Sequence, residues 1–284
     1  MQRQKSVLLT ILVAFIWSLS GLFVKTISWN AMAIACGRSA VAGVLLWPIV
    51  RKSKIHLDRA VFGYAICYCL FTYSFIGSNK LTTAAMAIMM QYCAPIYVAL
   101  FSFFWWKEKL SRADILCLFG VIIGMVLFFL DQFGGGSALG NLIAVGNGIF
   151  FAGISLFLRQ QKNNDPIVCV FMGNMLTAIV GLPFLVQVPF TFEIDWMLVL
   201  LNGIFIALSY ALYAYASKGL SALEAVLIPI LDPILTPIWV LLLIGEKPGV
   251  SAIIGSAIIL TSITMNVCSK RTSDPTHKEV ATGV

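Results

Sequence analysis

The chain has 284 residues, of which 60% are hydrophobic and only 11% charged, with a formal net charge of +7. Soluble globular domains carry roughly a quarter charged residues, and their helices keep a polar face that most of this chain lacks. The composition excludes a water-soluble fold and predicts an all-α integral membrane protein.

A helix needs about 20 mainly apolar residues to cross a hydrocarbon core of ~30 Å. Ten stretches meet that requirement: 7–24, 31–50, 60–78, 82–105, 113–130, 139–158, 167–188, 196–216, 221–244 and 250–268. The first begins MQRQKSVLLTILVAFIWSLSG, and its Arg3 and Lys5 suit the n-region of a signal peptide. Its apolar run, Val7 to Val24, exceeds the usual 7–15-residue core, so it reads as a retained span. Trp17 and Ser20 lie mid-span at i and i+3, on one face. Trp17 is too deep for an interfacial belt; packing or a wall on which substrate stacks both remain open. The second span carries Arg38 about three residues outward of mid-membrane, and the third carries Tyr73.

The fourth span contains MMQYCAP, with Gln91 and Tyr92 just before Pro95. A mid-helix proline frees the carbonyl one turn back and breaks the helix. After the short linker DQFGGGS (131–137), the sixth span contains GNGIFFAG, small residues that let helices approach closely. Tyr213 lies in the eighth span. The ninth opens on Ser221-x-x-Glu224, a capping-box spacing that accounts for one carboxylate without invoking function. It continues into IPILDPILTP, where Pro229, Pro233 and Pro237 mark one stripe and Asp232 borders it at mid-membrane. Freed carbonyls persist in a membrane where they are buried or line a wet cavity. An intramembrane carboxylate with no cap to explain it is a functional suspect, a structural ion pair being the rival account. Arg38 is within ~4–5 Å of its depth at 1.5 Å per residue. Arg38 therefore either pairs with Asp232 or is left to snorkel or to bind a substrate carboxylate. Residues 271–284 read as a disordered tail.

With the N-terminus in the cytoplasm, ten spans place fifteen Lys and Arg residues inside and three (Lys25, Lys80, Lys247) outside. This asymmetry predicts an inner-membrane protein with both termini cytoplasmic. It also accounts for the net charge without a nucleic-acid partner. Seven cysteines fall in or at the ends of spans, and both histidines, His56 and His277, lie outside them. No metal site or other cofactor is expected.

The chain also repeats. A shift of 138 lays residues 78–109 over 216–247 with seven identities, among them Lys80 on Lys218, Pro95 on Pro233 and Glu108 on Glu246. Shifts of 134 and 135 put Lys25 on Arg159 and Pro48 on Pro183. Two five-span repeats follow, 1–130 and 138–270. Five is odd, so the second must enter the membrane from the opposite side. Inverted repeats are how many secondary transporters build two access states around one central site.

This arrangement resembles the drug/metabolite transporter superfamily, EamA-like branch. The resemblance rests on APIYVALFSFFWWKEKLS and DPILTPIWVLLLIGEKPG, each a proline followed thirteen residues later by Glu, and on AFIWSLSGLFVK in the first span. Lys107-Glu108 departs from the usual Gly-Glu, which Gly245-Glu246 keeps. The resemblance implies transport of small organic metabolites such as an amino acid, an amine or a related zwitterion or cation. The expected mechanism is proton-coupled export by alternating access around Asp232, Gln91, Tyr92, Trp17, Arg38, Ser20, Tyr73 and Tyr213. An uncoupled facilitator or exchanger is the alternative, and a flippase for lipid-linked substrates a further one. Partners would be the substrate, protons as coupling ion and the lipid bilayer, with the chain a monomer or homodimer. The spans hold no histidine cluster or carboxylate pair of the kind intramembrane hydrolases use, so no enzyme is expected.

Overall fold

The computed structural model describes residues 3–53, 55–82, 84–107, 110–129, 137–161, 165–189, 194–232, 235 and 250–272. Among the described residues all regular structure is helical. The helices are α1 (Arg3–Thr26), α2 (Ala31–Val50), α3 (Arg59–Leu81), α4 (Ala84–Gln91), α5 (Ala94–Trp106), α6 (Arg112–Phe129), α7 (Ala138–Gln160), α8 (Pro166–Leu185), α9 (Ile194–Ser217), α10 (Ala222–Leu227) and α11 (Val250–Thr272), with a 3-10 turn at Ile228–Ile230 after α10. By length and composition, α2, α3, α7, α8 and α9 can each cross a membrane. The predicted fourth span is two shorter helices, α4 and α5. Pro233, Pro237, linker residues 131–136 and the tail beyond Thr272 lie outside the described residues.

The helices start where short polar side chains cap them. Asn30, Asp58, Ser137 and Asp165 each accept a hydrogen bond from a first-turn backbone N–H of α2, α3, α7 and α8, and Pro166 occupies the first turn of α8. Pro48 and Pro183 sit inside α2 and α8 near their C-terminal ends.

Packing is tightest between α3 and α7, α2 and α8, α6 and α11, and α1 and α9. The outer surface is apolar: Phe104 is 73% and Trp105 77% exposed. Such a face would drive aggregation in water; here its medium is lipid.

Polar clamps fasten the ends of the bundle. Asp195 at the start of α9 accepts hydrogen bonds from Ser28 N (3.0 Å) and from the Ser28 hydroxyl, while Lys80 Nζ donates to Ile27 O at 2.8 Å. Trp29 is buried edge-on against Trp196, with ring centroids 4.6 Å apart. At the start of α3, Asp58 accepts from Gln161 Nε2 at 3.2 Å. Asp114 is buried at the start of α6. It accepts from Ser111 Oγ at 2.9 Å and from Asn266 Nδ2 of α11 at 2.9 Å.

The capping box at Ser221 and Glu224 is present, with Ser221 N donating to Glu224 Oε2 at 2.9 Å and Glu224 N to Ser221 Oγ at 3.2 Å. The other carboxylate oxygen meets Arg3 Nη2 of α1 at 2.6 Å, an ion pair in which Glu224 is nearly buried. Breaking such a pair strands a charge. Glu224→Gln keeps the box and loses the pair, so it is expected to lower the thermal midpoint in detergent by about 3–6 °C, at 2–4 °C per kcal/mol. Arg3→Ala should do the same, and the double variant should fall short of the sum.

Candidate functional site

The centre of the site is the meeting of two broken helices. α4 ends at Gln91, Tyr92 and Cys93 form a turn, and α5 resumes with Pro95 in its first turn. Pro95 has no N–H to give to the preceding turn. Cys93 N instead bonds Met90 O at 3.3 Å, and Ile96 N bonds Cys93 O at 3.0 Å. In the other break, α10 tightens into the 3-10 turn containing Pro229, where Leu231 N bonds Ile228 O and Pro229 O.

These breaks face each other. Tyr92 Oη donates to Asp232 Oδ2 at 2.7 Å, joining residues 140 apart in sequence. Tyr92 is 2% exposed, Gln91 is buried beside it, and Asp232 is half-buried. The first break is cradled by α7. Asn147 Nδ2 donates to Ala87 O and to Ser78 Oγ, both at 3.1 Å. Gly148 lies so close that a Cβ there would stand 2.5 Å from Met90 O. On the side toward α6, an apolar crevice of about 60 Å³ reaches Tyr92, lined by Cys93, Pro95, Val121 and Met125 among others. Its walls give water few polar partners, so it is a dry backing to the break.

Trp17 occupies an aromatic cluster. Its indole Nε1 donates to Ser209 Oγ at 2.9 Å, and its ring lies 5.1 Å from Tyr210, 5.5 Å from Tyr213 and 5.8 Å from Phe151. Tyr210 in turn meets Tyr68 edge-on at 4.8 Å. Such pairs stabilise beyond the area they bury, by about 0.5–1.5 kcal/mol each. Tyr213, 0% exposed, is a packed member of this cluster. Ser209→Ala would leave the indole N–H without its partner; a loss of about 1–3 kcal/mol is expected, read as a lower midpoint in thermal unfolding.

Arg38 is 3% exposed. No ion pair joins it to Asp232 among the described residues, where Arg3–Glu224 is the pair found. Tyr73 spends its hydroxyl proton on Thr177 O at 2.6 Å, tying α3 to α8, and is half-buried. The side chain of Ser20, like Pro233 and Pro237, lies outside the described residues. Asp232, Tyr92 and Gln91 thus gather at the breaks, Trp17 and Tyr213 belong to the aromatic cluster, and Arg38 is buried in α2.

The sequence reading did not find Tyr210, Tyr68, Phe151 or Ser209. Two were within reach of the repeat. Phe151 follows Trp17 by 134, the shift that pairs Lys25 with Arg159, and Tyr210 follows Tyr73 by 137, as Asp195 follows Asp58.

A bundle of apolar helices holding a carboxylate and a guanidinium around a buried aromatic cluster is a multi-pass membrane protein of the solute-transporter class. Residues 4–130 and again residues 138–268 match the EamA-like transporter family, and the chain belongs to that family. It is a transporter, not an enzyme. The pseudopaline exporter CntI of Pseudomonas aeruginosa is 24% identical over 276 residues, covering 91% of this chain and 94% of that one. An uncharacterized transporter of Archaeoglobus fulgidus is 21% identical over 255 residues, covering 89% and 93%. Solute carrier family 35 member G1 of Mus musculus is 26% identical over 213 residues, covering 66% and 55%. A solved crystal structure superposes with a TM-score of 0.77 over 92% of this chain and 98% of that one; at 17% identity the likeness is one of fold.

Proposed function

We propose that this chain is a proton-coupled secondary transporter of small organic metabolites. It would export them across the cytoplasmic membrane by alternating access, with both termini inside. The Tyr92–Asp232 hydrogen bond carries the reading: it links a broken helix of residues 1–130 to a broken helix of residues 138–270. A motion that parts the two breaks would break that bond. A carboxylate at such a junction is suited to alternate between holding a proton and holding a substrate.

Helix packing supports two related halves. Matching each helix with its counterpart one repeat later turns α3 on α7 into α9 on α1, and α2 on α9 into α8 on α3; all four contacts are present. The pairs α2 with α8 and α6 with α11 map onto themselves. Ten spans with the second five inverted account for this pattern and for the lysine and arginine asymmetry.

The test is flux in proteoliposomes. An imposed pH gradient should drive uphill movement of a candidate metabolite, and a protonophore should abolish the uphill component. Flux that only equilibrates the metabolite and ignores both gradient and protonophore would instead establish an uncoupled facilitator or exchanger.

A further inference from the structure

α2 and α9 cross in close contact at Gly37 and Gly203. A Cβ on Gly37 would stand 2.8 Å from Val199, and one on Gly203 would stand 2.6 Å from Val41 and 2.8 Å from Arg38 O. Both contacts, 37 with 199 and 41 with 203, have the same sequence offset, so the helices run parallel here and Arg38 lies level with residues 199–203. That level holds an unusual set of groups. Among the described residues, Arg38 Nε and the neighbouring Ser39 Oγ are buried without hydrogen-bond partners, and so are both the amide nitrogen and the amide oxygen of Asn202. Arg38 is 3% exposed, and Ser39 and Asn202 are 0% exposed.

Among the described residues no ion pair is found at Arg38, and the α3 tyrosines Tyr68 and Tyr73 are neutral hydroxyls at physiological pH. Tyr68 directs its hydroxyl to Asn174 Oδ1 at 3.1 Å, and Tyr73 directs its own to Thr177 O. Neither supplies negative charge. A guanidinium buried in a membrane protein without a counter-charge is costly, and the orphaned Asn202 amide at its level adds to that cost. An ionisable group of that cost inside a span is a functional suspect.

We propose that Arg38 and Asn202, which flank the same side of the α2–α9 contact, form an anion-binding site that takes the carboxylate of the transported molecule. The fork of a guanidinium matches a carboxylate's two oxygens, and the Asn202 amide offers a further N–H. One fixed positive charge suits one negative charge. The site deepens the transporter reading and rests on it. It is tested by binding without any gradient, so it can fail while proton coupling stands, and the reverse.

The experiment uses the purified full chain in detergent with benzoate, benzamide and chloride as probes. Benzoate at millimolar concentration should raise the thermal midpoint, and benzamide, the neutral isostere, should not. Equal shifts from benzoate and benzamide, equal shifts from benzoate and chloride, or no shift with benzoate would each overturn the assignment. Asn202→Leu should raise the half-saturating benzoate concentration about tenfold, a loss of one good hydrogen bond; an unchanged value removes Asn202 from the site and overturns its role. Arg38→Met should abolish the benzoate response and raise the ligand-free midpoint by about 3–6 °C, because it removes an uncompensated buried charge. A lower ligand-free midpoint, or failure to fold, would show that the guanidinium has a structural partner within the protein and would overturn the proposal.

Discussion

Asp232→Asn is expected to lower flux driven by a pH gradient on the order of a hundredfold or more, the scale on which a positioned proton-transfer group contributes, without loss of folded protein. The substitution is nearly isosteric. The amide that replaces the carboxylate still offers an oxygen to Tyr92 Oη, which in the native protein donates to Asp232 Oδ2 at 2.7 Å, so the junction of the two breaks keeps its geometry. What it loses is the capacity to carry a proton. Exchange that moves substrate without a net proton should survive better than gradient-driven flux, and the comparison separates a coupling role from a packing one. Tyr92→Phe is the companion. It keeps the ring, which is 2% exposed and packed, and removes one charge-assisted hydrogen bond of about 1.5–3 kcal/mol. A roughly tenfold loss is expected, since 1.4 kcal/mol is a factor of ten. Gradient-driven flux in Asp232→Asn equal to that of the unmodified protein would refute the coupling proposal.

The second large effect concerns how the break is held. Gly148→Ala is expected to lower the thermal midpoint by about 2–8 °C, at 2–4 °C per kcal/mol, although alanine is the better helix former by about 1 kcal/mol. The added Cβ would stand 2.5 Å from Met90 O, 2.9 Å from the Tyr97 ring and 3.4 Å from Ala94 N. Two of those three neighbours are backbone atoms of the turn that carries Tyr92, and backbone cannot rotate aside as a side chain can. Overpacking of this kind costs about 1–3 kcal/mol and occasionally more, enough to outweigh the propensity gain. Gly77→Ala is the control: no atom lies within 4 Å of its added Cβ. There the propensity term acts alone and the midpoint should hold or rise. Differential scanning fluorimetry on the two variants decides the matter, and a neutral Gly148→Ala would mean that the break is not seated on α7.

Local features were legible in the sequence because their causes are local. Ser221 and Glu224 are three residues apart, and the capping box needs nothing more distant. Pro95 interrupts the fourth span because the missing N–H acts within one turn. Asp232 was singled out by its cost in an apolar stretch. The partners of these groups were not legible. Tyr92 and Asp232 are 140 residues apart, Trp17 and Ser209 are 192 apart, and Arg3 and Glu224 are 221 apart. A helix that is apolar on all sides carries no periodic signal of which face turns inward. In α2 the buried residues include Ala35, Cys36, Gly37, Arg38 and Ser39, five consecutive positions that cover every side of the helix. Pattern alone could therefore say that Arg38 lies deep in a span, but not whether Asp232 lies within reach.

By itself, then, the sequence determined the solvent, the helical class, the caps and the proline breaks, because hydrocarbon leaves backbone groups no partner outside their own helix. The tertiary structure alone decided that Asp232 meets Tyr92, that Glu224 is shared with Arg3, and that Arg38 is buried without a counter-charge among the described residues. Those outcomes depend on how closely the helices approach at Gly148, Gly37 and Gly203, and on the rotation each adopts there. Approach and rotation are properties of the packed bundle, set by side-chain shapes from segments far apart in the chain.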